Sequence, residues 1–152
     1  MKNLTFLLLA SFLVFSCGGN SNQKSTASEL TDLAHYLVVK DALVATDATK
    51  AKVAAENFLK ELTNTELAEP LKQIVATSNV EIQREAFDVL SKVMYKTIKA
   101  TRPDITIYRQ YCPMAFDNEG AYWLSKEEKV MNPYFGSVML NCGRVEETIR
   151  VL

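Results

Sequence analysis

Four sulfur-bearing residues lie in two short clusters near the C-terminal end of the chain. Cys112 and Met114 form a Cys-x-Met pair, and Met139 and Cys142 form a Met-x-x-Cys pair. Thiolate and thioether sulfur are the ligands that Cu(I) and similar soft ions prefer, whereas Zn²⁺ normally takes four Cys or His ligands. If a turn-rich connector brings the two clusters together, they predict a Cu(I) site made of two thiolates and two thioethers.

The same two cysteines can instead form a disulfide. The chain has three cysteines, and if Cys17 is lipidated, Cys112 and Cys142 remain as an even pair, which in an exported protein is first interpreted as a disulfide. Such a link would stabilise the fold by roughly 3–4 kcal/mol. The two methionines near it would then fill gaps in an aromatic core that includes Trp123. A disulfide has no thiolate left to bind metal, and the residues alone leave both interpretations open.

The N-terminal end of the chain predicts export and lipidation. It begins with a short positive segment, continues with an almost unbroken apolar run over residues 4–15, and then places Ser16 before Cys17. A run of this length is too short for a permanent transmembrane helix and is typical of a removable signal peptide. Residues 14–17 resemble the bacterial lipobox, whose cysteine is acylated and becomes the first mature residue. We therefore predict a signal peptide over residues 1–16 and lipidation of Cys17; an ordinary secretory signal ending in a cysteine is the alternative.

The remainder of the chain is predicted to be one tethered domain. Residues 18–28 are small and polar, which is the composition of a flexible linker, so that residues 17–28 would form the anchor and its tether. Residues 29–152 have the size of a single globular domain. Because several acyl chains hold a protein stably on a membrane, we expect a lipid-anchored envelope protein at the periplasmic face of the outer membrane.

Charge and motifs argue against nucleic-acid binding and against an enzyme. The net charge is −1 and no basic cluster exceeds two consecutive residues, so nothing predicts a nucleic-acid partner. No Ser-His-Asp order or Gly-rich phosphate loop stands out, and the cysteines are not in a Cys-x-x-Cys arrangement. The only histidine, His35, is expected at a helix surface or in the core rather than as a ligand.

Apolar spacing predicts four helices between residues 29 and 101. Short connections between amphipathic helices favour a mainly α fold, a four-helix bundle that is most simply up-down-up-down. The apolar stripe of the fourth helix starts at Ile82, and the charged residues of the helical motifs are predicted to face solvent, with pairing between helices as the alternative. These charged residues are Lys40, Asp41, Arg84 and Glu85. The predicted helix-terminal residues are Ser28, Thr46 or Asp47, Pro70, and a capping box of Ser78 and Glu81.

A turn-rich cap is predicted after residue 104. Residues 105–111 are β-branched and aromatic, and residues 121–124 are a second short apolar run, so one or two short strands are expected. Residues 117–120 and 132–136 are turn sequences rich in Asn, Gly and Pro. The aromatic residues of the cap are expected in its core, with an exposed patch for a protein partner as the alternative.

Three runs in the cap and two in the helices resemble the family called domain of unknown function 3347. The cap carries YCPMAFDN at 111–118, GAYWLS at 120–125 and NPYFGSVMLNCG at 132–143. The helices carry YLVVKDALV at 36–44 and QREAF at 83–87. The resemblance therefore extends over nearly the whole mature chain.

The resemblance implies a cellular context and a ligand set. Members of that family occur as small envelope lipoproteins and as a domain appended to periplasmic adaptor subunits of heavy-metal efflux pumps, and no activity is established for them. Copper or silver handling is implied, with efflux or copper-handling proteins as partners and Cys112, Met114, Met139 and Cys142 as candidate ligands. The alternative is a disulfide-bonded, metal-free module that docks on an envelope or efflux assembly.

Overall fold

The structure is a computed structural model that describes residues 21–101 and 104–150. The predicted signal peptide, Cys17 and the first residues of the predicted tether lie outside the described residues. Within the described ranges, no helix is both long enough and apolar enough to cross a membrane.

Four helices form the larger part of the fold. Each helix packs against the next one along the chain, and the fourth closes the bundle against the first. The helices are α1 (Ser21–Val44), α2 (Ala48–Glu61), α3 (Ala68–Val75) and α4 (Val80–Thr101), with a 3₁₀ turn at Thr65–Leu67 before α3. Large, fully buried side chains from all four fill the centre, among them Leu33, Tyr36, Phe58, Leu71, Phe87 and Met94. The predicted mainly α fold with a helical bundle is confirmed.

Two of the predicted helix-terminal residues are confirmed. The side chain of Asp47 accepts a hydrogen bond of 2.9 Å from the backbone N–H of Lys50, so Asp47 is the N-cap of α2. Pro70 lies in the first turn of α3, where its missing N–H leaves no hydrogen bond unmade.

Two other helix starts differ from the prediction. Helix α1 begins at Ser21 rather than at Ser28, because no glycine or proline interrupts the intervening residues and a polar composition by itself does not end a helix. Helix α4 is capped by Asn79 and not by Ser78, since Asn79 Oδ1 accepts a hydrogen bond of 2.9 Å from the backbone N–H of Glu81.

The prediction that the charged residues of the helical motifs face solvent is wrong for Lys40 and Arg84. Both are buried, at 3% and 4% exposure. Lys40 Nζ lies 2.8 Å from Asp41 Oδ1 and 3.6 Å from an oxygen of Glu127 in the cap, so its charge is paired on both sides. Ile82, predicted to begin the apolar stripe of α4, is instead about half exposed.

The cap contains three strands in one antiparallel sheet. They are β1 (Ile107–Cys112), β2 (Ala121–Ser125) and β3 (Arg144–Ile149), in the order β2-β1-β3. Both sequence runs that predicted one or two short strands form strands, β1 and β2, and β3 is an addition that was not predicted. Its sequence has only three apolar or β-branched residues among charged ones, so β3 lacks the apolar composition that marked the other two. Short turns at Ala115–Asn118 and Gly136–Val138 complete the cap.

Two tyrosine hydroxyls join strand β2 to the rest of the molecule. The hydroxyl of Tyr36 in α1 accepts a hydrogen bond of 3.0 Å from the backbone N–H of Leu124. The hydroxyl of Tyr134 donates a hydrogen bond of 2.6 Å to the carbonyl of Tyr122. Burial raises the pKa of both tyrosines, so both hydroxyls keep their protons and remain available for these bonds.

Arg84 connects the bundle to the loop that precedes β3. Its Nε donates a hydrogen bond of 2.9 Å to the carbonyl of Pro133, and its Nη1 lies 2.7 Å from Glu81 Oε1. Its Nη2 donates to Thr46 Oγ1 at 3.2 Å and to the carbonyl of Leu43 at 3.5 Å. One guanidinium therefore holds α4, the end of α1 and the loop of the cap together.

Replacing Arg84 should destabilise the whole fold. In Arg84→Met the carbonyls of Pro133 and Leu43 lose their partner while they remain buried, so we expect the free energy of unfolding to fall by roughly 2–4 kcal/mol. Urea unfolding followed by circular dichroism measures it. Lys50→Met, which removes an exposed ion pair, is the matched control and should cost less than about 0.5 kcal/mol. Equal losses in the two variants would contradict the role given to Arg84.

Candidate metal centre

The structure brings two of the four predicted ligands into contact. Cys112 is the last residue of β1, and Cys142 lies in the turn that leads into β3. The antiparallel pairing of these strands places Tyr111 opposite Arg144, which brings the two cysteines side by side. Their Sγ atoms are 3.3 Å apart, both thiols are free, Cys112 is buried and Cys142 is half-buried.

A separation of 3.3 Å between the Sγ atoms of Cys112 and Cys142 suits either kind of chemistry that the sequence left open. A disulfide requires the sulfur atoms to approach to about 2.05 Å. With a metal–thiolate distance of about 2.3 Å, two thiolates that share one ion at the tetrahedral angle are about 3.8 Å apart. The pair therefore needs to close by about 1.3 Å for a disulfide or to open by about 0.5 Å for a metal.

The thiol of Cys142 resists ionisation. Its hydrogen bond with Cys112 is the largest cause that raises its pKa, and burial and the charge of the neighbouring sulfur act in the same direction. Because a thiolate is required both for metal binding and for nucleophilic attack on a disulfide, a metal ion that binds Cys142 must displace its proton.

Asn132 fixes the turn that carries Cys142. Its Nδ2 donates a hydrogen bond of 2.7 Å to the carbonyl of Cys142, and its backbone N–H donates to the carbonyl of Leu140, also at 2.7 Å. Its Oδ1 accepts from the N–H of Tyr134 at 2.8 Å. The sequence predicted a turn over residues 132–136 because this segment contains Asn, Pro and Gly. No local pattern indicated that the buried Asn132 side chain also holds the cysteine turn, ten residues away.

Gly143 allows this turn to lie directly on β1. Its φ is +141°, and a Cβ at this position would lie 2.7 Å from the carbonyl oxygen of Tyr111 and 3.1 Å from the ring of Trp123. Only glycine fits such a close approach without displacing backbone. Trp123 is the single tryptophan of the chain and is almost completely buried, so it reports on any movement of the cysteine turn.

The two methionines lie in a separate open groove between the start of α4 and the cap. Met114 and Met139 both line this groove, which has a volume of about 560 Å³. Phe116, Phe135 and Val138 line it too, and none of the described lining residues is a cysteine. Met114 is 46% exposed. The expectation that both methionines fill gaps in an aromatic core is therefore wrong for Met114, because the turn after β1 directs it outward.

Other candidate ligands do not join the thiol pair. In the part of the chain that the structure describes, no three His, Cys, Asp or Glu residues cluster in a way that could hold a metal ion. His35 stacks on Phe58 at 5.4 Å between ring centroids, and its Nε2 lies 3.3 Å from Glu61 Oε2. The candidate ligands therefore remain Cys112, Cys142, Met114 and Met139. A single site that contains all four sulfur atoms stays a prediction.

The chain matches the family described as "Protein of unknown function (DUF3347)" over residues 33–106. This match supports the assignment of this part of the chain to the family. The DUF3347 match contains both helical motifs and ends just before β1, so the resemblance is confirmed for the helices. The contribution of the sulfur-bearing cap to the resemblance stays a prediction. No curated protein and no solved structure matches the chain, and the DUF3347 description names no activity.

Removing Cys112 should make Cys142 more acidic. We expect Cys112→Ala to lower the pH at which Cys142 becomes reactive, toward the ordinary thiol pKa of about 8.5, because the largest cause of its raised pKa is lost. The rate of iodoacetamide alkylation against pH, followed for the Cys142 peptide by mass spectrometry, measures this shift. Met114→Leu is the control and should leave the profile unchanged. A midpoint that does not move would mean that burial, not the neighbouring thiol, sets the pKa.

Widening the cysteine turn should slow disulfide formation. In Gly143→Ala the new Cβ must push the turn away from the carbonyl of Tyr111, which separates the two Sγ atoms. We expect the oxidation rate of the pair in a glutathione redox buffer to fall by about tenfold or more, as a cost of about 1.4 kcal/mol in the reacting geometry implies. Gly19→Ala, which lies outside the described residues, is the control. An unchanged rate would show that the turn does not set the sulfur separation.

Proposed function

We propose that the protein binds or relays a soft metal ion, Cu(I), through Cys112 and Cys142, with Met114 and Met139 as supplementary sulfur ligands. The observation that carries this proposal is the 3.3 Å contact between two free thiols, one of which is half-buried at the protein surface. Two thiolates supply the negative charge and the soft donor atoms that Cu(I) selects.

The surroundings of the pair favour a soft ion over a hard one. Mg²⁺ and Ca²⁺ require several oxygen ligands, and in the described residues no carboxylate cluster accompanies the cysteines. A structural Zn²⁺ site requires four Cys or His ligands, whereas two thiols and two thioethers on neighbouring turns supply sulfur alone. The ligand chemistry therefore supports Cu(I) or Ag(I).

The cellular setting of the proposal comes from the sequence. The lipobox-like segment before Cys17 supports an acylated protein in the cell envelope, and the family resemblance supports heavy-metal efflux or copper-handling proteins as partners. In this setting a small domain on a lipid anchor receives a soft ion at the membrane surface and passes it to a partner. No chemical reaction on a substrate is required of it.

Anaerobic Cu(I) titration against a competing chelator tests the metal proposal. The protein carries Cys17→Ala, so that Cys112 and Cys142 are its only thiols, and the fluorescence of Trp123 reports binding. We expect one tightly bound ion per chain that withstands the chelator, no such competitive binding after Cys112→Ser, and weaker binding after Met139→Leu. Met131→Leu, a methionine of the cap outside the groove, is the matched control. Absence of competitive binding by the reduced protein would overturn the proposal.

A disulfide-bonded, metal-free interaction module is the second candidate. It is favoured by the same contact, since oxidation forms one S–S bond between Cys112 and Cys142 and transfers two electrons and two protons to an external disulfide. Thiol counting by alkylation mass spectrometry, on protein isolated without reductant, separates the candidates. The disulfide module predicts no free thiol and a stability about 3–4 kcal/mol above that of the Cys112→Ser/Cys142→Ser variant; free thiols as isolated would exclude it.

A further inference from the structure

The placement of the methionines suggests a metal-binding step in which the thiols of Cys112 and Cys142 take no part. Met114 and Met139 line one open groove that neither cysteine lines among the described residues. We propose that the two thioethers by themselves form a binding site for a soft monovalent ion, separate from the thiol pair. This inference rests on the proposed function for its metal class and for the destination of the ion.

The groove presents soft donors in an accessible place. Thioether sulfur selects Cu(I) and Ag(I) over the hard cations, and a methionine side chain has three rotatable bonds, which lets it adapt to an ion. Met114 is 46% exposed, so its sulfur can be reached from solvent without opening the core. Two such donors on one groove form a minimal site for an ion that accepts few ligands.

The charge of the groove is compatible with a cation. Among the described residues that line it, Arg84 is the only basic one, and its guanidinium already contacts Glu81 at 2.7 Å and the backbone carbonyl of Pro133 at 2.9 Å. Asp117 also lines the groove and is exposed. One positive and two negative side chains leave the groove with a net negative charge, which attracts a monovalent cation.

Each methionine is tied to one member of the thiol pair. Met114 follows Cys112 by two residues, and the backbone carbonyl of Met139 accepts a hydrogen bond of 3.1 Å from the N–H of Cys142. Transfer exchanges two metal–thioether bonds for two metal–thiolate bonds and releases the two thiol protons to solvent. Thioethers need no deprotonation to bind, so binding in the groove releases no proton.

Binding of Ag(I) to the thiol-free chain tests this inference. The variant Cys17→Ala/Cys112→Ser/Cys142→Ser has no cysteine, and Ag(I) is used because it binds thioethers without a change of oxidation state. We expect one ion per chain, with the ¹³C-labelled methyl signals of Met114 and Met139 shifted and that of Met131 unchanged. Calorimetry should give an affinity that is constant between about pH 6 and pH 8, because no proton is released.

Substitutions in the thiol-free chain identify the donors. Met114→Leu and Met139→Leu should each lower the Ag(I) affinity by about tenfold or more, equivalent to about 1.4 kcal/mol, whereas Met131→Leu should leave it unchanged. Failure of the thiol-free chain to bind Ag(I), or equal affinities for all three substituted chains, would overturn the inference. If the groove binds Ag(I) but the reduced thiol pair does not compete for Cu(I), the proposed function fails while the groove site stands; the reverse result removes the groove site alone.

Discussion

A single buried guanidinium ties the position of the thiol pair to the helical bundle. Arg84 comes from α4, and besides Glu81 in the same helix its partners lie at and just after the end of α1 and on the carbonyl of Pro133. A charge in the interior is tolerated only when its hydrogen-bonding capacity is used, so this requirement fixes the loop that begins at Asn132. Asn132 in turn holds the carbonyl of Cys142. The position of Cys142 beside Cys112 in the cap therefore depends on Arg84, a charged residue of the helical bundle.

Glycine completes this arrangement at two places where the backbone must come close to another element. Gly136 has a φ of +54°, and a Cβ there would lie 2.1 Å from Thr46 Oγ1 and 2.8 Å from Arg84 Nη2. Gly143 likewise allows the backbone to lie against β1, where a Cβ would meet the carbonyl oxygen of Tyr111. The loop between them is thus pressed against the bundle at one end and against the sheet at the other, which leaves Cys142 little freedom to leave Cys112. This restriction favours reactions that need the two sulfur atoms together.

The sequence predicted what depends on local pattern and missed what depends on distant partners. Apolar spacing and caps such as Asp47 determine the helices within a few turns of chain, so they were predictable. The burial of Lys40 and Arg84 was not predictable, because no local pattern marks their distant partners. Leu43 lies 41 residues from Arg84, and Glu127 lies even farther along the chain from Lys40. The separation of the methionines from the cysteines follows from the strand register and the turn after β1. A Cys-x-Met spacing by itself does not determine whether the cysteine and methionine sulfur atoms face the same site or two different sites.

The division of sulfur types between two places has a chemical consequence. A soft ion binds a thiol only by displacing its proton, and the hydrogen bond with Cys112 raises the pKa of Cys142, so the affinity proposed for the thiol pair should increase with pH. Thioethers carry no proton and gain nothing from a rise in pH. Under the two proposals, the protein would hold a soft ion weakly in the groove at low pH and more tightly at the thiol pair as the pH rises. Oxidation of Cys112 and Cys142 to a disulfide would remove the proposed thiolate site and leave the proposed methionine site.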